Sequence, residues 1–139
     1  PQLYTVFCFS FILYSFVCVF LGSTSSPEWI SFQEAEYKFF DHRTTWEQAQ
    51  RICSWFESSL ASVHSAEEEA FLANTLRKAH WWLGLHSYEN DGRFRWSDHS
   101  VLNYVSWALG RPHPLSRDRK CVRLSVSKGK NIQKGIKRD

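Results

Sequence analysis

Four cationic or titratable side chains occur close together in one proline-containing stretch of the chain, namely Arg111, His113, Arg117 and Arg119. Guanidinium groups bind carboxylates and other anions through paired hydrogen bonds. An exposed loop with several such groups therefore suits an acidic ligand or a protein partner. We predict that this stretch contacts the ligand, and the alternative is an ordinary charged loop.

Three carboxylates form a second group of residues that could bind a ligand or an ion: Glu89, Asp91 and Asp98. Calcium takes about six to eight oxygen ligands, mostly carboxylates and carbonyls, so these side chains and the carbonyl of Asn90 are candidates for a structural calcium site. The alternative is an ordinary turn, because Asp91 and Gly92 form a common turn pair. We expect no other cofactor.

The remaining reactive residue types favour neither a zinc site nor an enzyme. No two histidines have the helical spacing of a ligand pair, and no Cys-x-x-Cys accompanies them, so we interpret them as surface or loop residues. They are His42, His64, His80, His86, His99 and His113. A nucleophile needs an adjacent base, but the chain has no Gly-x-Ser-x-Gly and no Cys–His pair at a helix start. We therefore predict a binding protein.

The charge of the chain is modest, with a net value of +3 when histidine is neutral. The basic excess lies at the C-terminal end, in Lys128, Lys130, Lys134, Lys137 and Arg138. Aromatic residues do not interleave with these cations, as they do in many nucleic-acid-binding segments. We interpret this end as a solvated tail and expect no nucleic-acid partner.

The run from Leu3 to Leu21 carries no charge and is mainly aromatic and aliphatic. Its length matches the roughly 20 apolar residues that cross a bilayer, so a membrane segment is one interpretation. The run is longer than a usual signal-peptide core, and no basic region precedes it. A third interpretation is non-coding read-through, since these residue types are encoded largely by thymine-rich codons.

Two capping signals predict the helices that position the loop. Thr45 stands three residues before Gln48, and Ser65 stands three residues before Glu68. The first helix presents an apolar stripe that includes a cysteine: Trp46, Ala49, Cys53 and Phe56. The stripe predicted for the second helix is Phe71, Leu72, Thr75, Leu76 and Ala79.

Short aromatic segments separated by turn residues predict strands at Trp29–Phe32, Glu36–Phe40, Trp82–Leu85, Phe94–Trp96 and Cys121–Leu124. The connection from Ser97 to Lys120 is longer than the roughly 15 residues usual in a compact domain, so we predict that it is the binding region. The predicted divisions are a hydrophobic segment and linker over 1–26, a domain over 27–125 and a disordered basic tail over 126–139.

These segments together resemble a C-type lectin-like domain, and within that family the mannose receptor group. The resemblance is carried by Cys53, Leu60-Ala61-Ser62-Val63-His64-Ser65, Trp82-Leu83-Gly84-Leu85, Phe94-Arg95-Trp96-Ser97-Asp98, Trp107, and Cys121-Val122. It implies an α+β fold with two helices, two small antiparallel sheets and a long loop region. It also implies an extracellular position in an endocytic membrane receptor, with a glycan or protein ligand such as collagen.

The chain departs from that family in its loop and its cysteines. Members that bind sugar through calcium carry Glu-Pro-Asn or Gln-Pro-Asp where this loop reads Gly110-Arg111-Pro112-His113. Because arginine offers no acceptor, we predict no calcium-dependent sugar binding there. The family pairs the cysteines equivalent to Cys53 and Cys121 with cysteines nearer the domain end, so we predict two unpaired thiols and a missing C-terminal strand.

The function predicted from the sequence is an extracellular ligand-binding module of a mannose-receptor-like endocytic protein. One alternative is a single-domain lectin-like receptor that Leu3 to Leu21 anchor in the membrane. Another is a non-functional product of an incomplete gene model.

Overall fold

The residues that the structure describes contain two helices and eight strands. The structure is a computed structural model, and it describes residues 2–7, 12–21, 28–75, 80–87, 93–108 and 121–126. The strands are β1 (Gln2–Phe7), β2 (Tyr14–Leu21), β3 (Ile30–Phe32), β4 (Ala35–Thr44), β5 (Ser59–Leu60), β6 (His80–Ser87), β7 (Phe94–Trp96) and β8 (Cys121–Val126). The helices are α1 (Trp46–Trp55) and α2 (Ala66–Thr75). The predicted α+β class is confirmed.

The strands form one mixed sheet, whereas the resemblance implies two small antiparallel sheets. Its order is β1-β8-β6-β2-β4-β3, with β5 paired to β2 and β7 paired to β6. Within it lie two antiparallel groups, one around β6 and one around β2. Short parallel pairing of Ser15 with Trp81 and of Phe16 with Trp82 joins the groups, and this pairing makes the sheet continuous.

The apolar N-terminal run supplies two strands of this sheet. β1 pairs with β8 along its whole length, and β2 lies between β4 and β6. Val17 and Val19 are buried on one side of β2, and Phe16 and Cys18 are buried on the other. A strand with two buried faces reads as a continuous apolar run, which is also the pattern of a bilayer segment. Among the described residues, no helix has the length and apolar character needed to span a membrane.

Side-chain alternation along β2, β6 and β8 divides the interior between the two faces of the sheet. Helix α1 covers the smaller cluster, which we call the α1 face: Phe16, Cys18, Ala49, Cys53, Leu60, Trp82 and Cys121. Helix α2 covers the larger cluster, the α2 face, which includes Tyr4, Val17, Tyr37, Leu72, Trp81, Leu83, Trp96 and Leu124. The loop segment after β7 packs against the α2 face through Tyr104 and Trp107.

Both helices begin where the capping signals place them. Thr45 and Gln48 form a reciprocal capping box, with hydrogen bonds of 3.2 and 3.0 Å. Before α2, the hydroxyl of Ser65 accepts from the backbone N–H of Glu68 at 3.2 Å. The carboxylate of Glu68 accepts from the backbone N–H of His64 at 2.8 Å. The side chain of Glu68 therefore binds the N–H of His64, one residue before the N–H of Ser65 that a capping box predicts.

The predicted apolar stripes are only partly buried. In α1, Ala49 and Cys53 are buried, but Phe56 lies at the C-cap and is exposed. In α2, Leu72 is buried. Leu76 and Ala79 lie outside the described residues.

The prediction that Cys53 and Cys121 lack partners is wrong. Cys53 forms a disulfide with Cys18, and the two Cα atoms are 5.4 Å apart. Cys121 is also disulfide-bonded. The partner of Cys53 comes from β2. Strand β2 pairs with β4 and with β5, the strands that precede and follow α1 in the chain, and so it lies beside this helix. The sequence interpretation separated this segment from the domain and so did not consider Cys18 as a partner.

Candidate ligand-binding site

The structure describes the first half of the long connection between β7 and β8. Residues 97–108 follow β7, and β8 begins at Cys121. The predicted contact residues Arg111, His113, Arg117 and Arg119 lie outside the described residues, as do Glu89 and Asp91. Residues 97–108, which we call the loop base, therefore show how the core holds the predicted binding region.

Strand β1 fixes the end of the loop base through the main chain. The N–H of Tyr4 donates to the carbonyl of Ser106 at 2.7 Å, and the N–H of Ala108 donates to the carbonyl of Tyr4 at 3.0 Å. The indole of Trp107 packs edge-on against Tyr4, with ring centroids 5.9 Å apart, and against Phe94 at 5.1 Å. The apolar N-terminal run thus sets the point from which the loop leaves the core.

Asp98 closes the turn at the start of the loop base. Its Oδ2 accepts from the hydroxyl of Ser62 at 2.5 Å. Its Oδ1 accepts from both the N–H and the hydroxyl of Ser100, the former at 2.9 Å. Protein donors thus engage both carboxylate oxygens and occupy three of the roughly four acceptor positions of this carboxylate. In the described ranges, no group of three or more metal-ligating side chains comes together around it.

Two side-chain hydrogen bonds tie the middle of the loop base to helix α2 and the residues before it. The hydroxyl of Tyr104 donates to Oε2 of Glu69 at 2.6 Å. Nδ1 of His64 lies 2.8 Å from Oδ1 of Asn103. Glu69 is only 3% exposed, so its bond to Tyr104 is a buried polar contact between the helix and the loop base.

The buried environment changes the acidity of this pair. Burial raises the pKa of the Glu69 carboxyl, and hydrogen bonds from Tyr104 and Ser106 oppose that increase. Burial and the hydrogen bond to Glu69 raise the pKa of Tyr104 to about 12. Burial and the negative charge of Glu69 also raise the pKa of Tyr4, whose hydroxyl makes no hydrogen bond in the described ranges. The ionised carboxylate is therefore held in an unfavourable environment.

A cavity of about 250 Å³ lies beside β7, at the start of the loop base. It is lined by Phe94, Arg95, Trp96, His99, Ser100 and Leu102. Val101 and Val105 are 76% and 48% exposed in the same segment. Apolar surface with a few polar groups is the usual composition of a binding cleft. The loop base thus offers a ligand apolar surface, and the neighbouring strand β7 adds one cationic side chain, Arg95.

The described histidines lie in separate environments, and three of them lie on strands rather than in loops, His42 on β4 and two on β6. His80 and His86 lie on β6, where burial lowers the pKa of both imidazoles. His86 is 9% exposed and packs against the Trp46 indole with ring centroids 4.6 Å apart. The prediction of surface or loop positions is wrong for His86, because the alternation of β6 turns its ring towards α1.

Sequence reasoning missed Glu69, one of three consecutive glutamates in the first turn of α2. Glu69 precedes the buried Leu72 by three residues, so the two side chains lie on the same helix face. That spacing was a signal for burial. The sequence offered no comparable signal for Tyr104, because its partner lies 35 positions away.

Residues 42–135 match the family model described as Lectin C-type domain. Over 107 residues the chain is 55% identical to human C-type mannose receptor 2, in an alignment that covers 73% of the chain and 7% of the receptor. It is 35% identical over 108 residues to the human low affinity immunoglobulin epsilon Fc receptor, covering 78% of the chain and 34% of that receptor. The chain thus spans a small part of these curated relatives.

Solved structures show the same fold. The crystal structure of the cow carbohydrate-recognition domain of CD23, in the presence of GlcNAc2Man3 oligosaccharide, aligns with a TM-score of 0.66 at 33% identity, covering 72% of this chain and 78% of that one. The lectin CEL-I from Cucumaria echinata aligns with a TM-score of 0.61 at 26% identity, covering 76% of this chain and 100% of that one.

Proposed function

The chain belongs to the Lectin C-type domain family, and from this premise we propose that it is an extracellular ligand-binding module without enzymatic activity. The ligand contacts are the loop base and the cationic residues Arg111, Arg117 and Arg119. The observation that carries the proposal is the attachment of the loop base to the core at Asp98, Tyr104 and Trp107. Such attachment pre-organises a binding loop and lowers the entropic cost of binding.

The proposed recognition does not use calcium. Both carboxylate oxygens of Asp98 are engaged by Ser62 and Ser100. Arg111 places a positive charge in the loop where a calcium-dependent lectin needs acceptors. The ligand is therefore an acidic glycan or an acidic surface of a protein, as expected for a cationic loop.

Membrane anchoring through Leu3 to Leu21 and the observed sheet exclude each other. An anchor helix would remove β1 and β2 from the sheet, and with them the disulfide partner of Cys53. We favour the sheet, because the segment then buries both faces of β2 and holds the loop base. An extracellular position agrees with the disulfides, which persist in oxidising compartments.

Affinity chromatography on immobilised heparin tests the cationic loop. We expect retention that survives EDTA and decreases with salt. The double variant Arg111→Gln/Arg117→Gln should bind about three- to tenfold more weakly. Arg51→Gln, which removes an exposed cation from α1, is the matched control and should bind like the wild type. Cations of the C-terminal tail contribute equally to all variants.

Two results would contradict this function. One is binding to mannose that requires calcium and is lost in EDTA. The other is an equal loss of heparin affinity in Arg51→Gln and in the double loop variant, which would show that net charge alone determines retention.

A further inference from the structure

A second cavity lies between the β3–β4 hairpin and helix α2, on residues that the proposed function does not use. Its volume is about 380 Å³. It is lined by Phe32, Gln33, Glu34, Ala35, Tyr37 and Glu68. We propose that this cavity binds a cationic side chain of a protein partner, specifically the guanidinium of an arginine.

Two carboxylates give the cavity its negative charge. Glu34 is exposed in the two-residue turn between β3 and β4, and Glu68 is half-buried in the first turn of α2. Oε2 of Glu68 accepts one hydrogen bond from the N–H of His64. Neither carboxylate makes a salt bridge in the part of the chain that the structure describes. A ligand cation would therefore supply the missing counter-charge.

A tyrosine hydroxyl on the cavity wall provides an independent reason to expect a polar ligand. Tyr37 is 2% exposed and lies on the wall of the cavity. Among the described residues its hydroxyl makes no hydrogen bond, although the hydroxyl is able to donate one and accept one. Tyr37 and Glu68 line the same cavity, and burial together with the charge of Glu68 raises the pKa of Tyr37. An N–H donor in the cavity would satisfy the phenol oxygen and Glu68 together.

Aromatic surface favours a guanidinium over an ammonium. Phe32 lines the cavity and stacks on Phe71, with ring centroids 4.3 Å apart and planes inclined by 5°. This stack holds the Phe32 ring in a fixed position beside the carboxylates. A guanidinium is planar, stacks on aromatic rings and presents several N–H donors in a rigid arrangement, whereas an ammonium is a compact and strongly hydrated charge.

Titration of the 139-residue chain with acetyl-arginine amide, followed by NMR, tests the proposal. We expect saturable shifts confined to cavity residues and weaker binding of acetyl-lysine amide. Glu68→Gln should weaken arginine binding about five- to tenfold, because it removes the charge but keeps an oxygen that can accept from His64. Tyr37→Phe should weaken binding about two- to fivefold.

Glu67→Gln is the matched control, since Glu67 is exposed on the same helical turn and does not line the cavity. It should bind arginine amide like the wild type. If Glu68→Gln lowers the melting temperature, Glu34→Gln in the exposed turn provides the same test without touching the helix cap. The proposal is overturned if arginine amide gives no saturable shifts in the cavity, or if Glu67→Gln weakens binding as much as Glu68→Gln. Neither outcome depends on the heparin result.

Discussion

The α1 face and the α2 face of the sheet differ in whether their buried indole N–H groups are hydrogen-bonded. On the α1 face, the indole N–H of Trp46 donates to the carbonyl of Leu83 at 2.8 Å, and that of Trp82 donates to the carbonyl of Thr44 at 2.9 Å. On the α2 face, the indole N–H of Trp96 makes no hydrogen bond within the described ranges. The same face encloses the carboxyl of Glu69.

The difference coincides with the attachment of the loop base, where we propose that the ligand binds. A satisfied indole and a disulfide stabilise the position of α1 at little polar cost. A buried polar group without a partner costs about 1–3 kcal/mol, and such groups are tolerated mainly where they serve another purpose. The α2 face holds the loop base through Glu69 and Tyr104. The face that holds the loop base therefore carries both the unsatisfied indole N–H and the buried carboxyl.

Removing the disulfide should have the largest effect on this comparison. The bridge between Cys18 and Cys53 closes a separation of 35 residues, so the variant Cys18→Ala/Cys53→Ala should lose about 4 kcal/mol of unfolding free energy by the chain-entropy relation. Urea denaturation measures the loss. Hydrogen exchange should show that the amides of α1 and β2 open first.

Ser54→Ala, on the exposed side of α1, is the control and should unfold at nearly the wild-type urea concentration. If the double variant also unfolds there, the disulfide does not stabilise the α1 face, and the contrast between the faces fails.

The elements that sequence could predict are those with local signals. Thr45 and Ser65 placed both helix starts, because a capping hydrogen bond joins residues three apart. Side-chain alternation and turn residues predicted β7 and β8, because these signals also lie within a few neighbouring residues. The position of β2 could not be predicted, since its two buried faces remove the alternation that distinguishes a strand from a bilayer segment.

The site was predicted less completely than the fold, because its contacts join residues distant in sequence. Asp98 was singled out for its chemistry, but its role depends on Ser62, 36 positions away. Cys53 was recognised as a disulfide cysteine, yet its partner lay in a segment assigned to another part of the chain. Spacing alone carries no information about such pairings.

Tyr104→Phe should weaken the α2 face by an intermediate amount. The change removes the hydroxyl that donates to Glu69 and leaves a buried carboxylate with one donor fewer. We expect the unfolding free energy to fall by about 1–3 kcal/mol, measured by urea denaturation at neutral pH. Tyr37→Phe is the matched control, because its hydroxyl lies on the wall of a cavity rather than on the Glu69 carboxylate, and it should change stability little. Equal losses in both variants would refute a specific role for the Glu69 contact.

Glu69→Gln should have the smallest effect, and it should depend on pH. Burial raises the pKa of Glu69 in the folded chain, so the folded state binds this proton more tightly than the unfolded state. Its contribution to stability is therefore fully present below the unfolded pKa and is lost as pH rises through the folded pKa. Glutamine does not titrate, so the variant should gain stability relative to the wild type over that interval.

The gain at neutral pH should be of the order of 1 kcal/mol, similar to one hydrogen bond, because the amide oxygen of glutamine can still accept from Tyr104. The melting temperatures of Glu69→Gln and of the exposed control Glu67→Gln should be measured at a series of pH values. The comparison separates the contribution of Glu69 to the pH dependence of stability from that of the other carboxylates. A constant difference between Glu69→Gln and the wild type across the series would mean that the carboxylate is not destabilised by burial. In that case the α2 face would tolerate its charge as easily as a solvent-exposed position does.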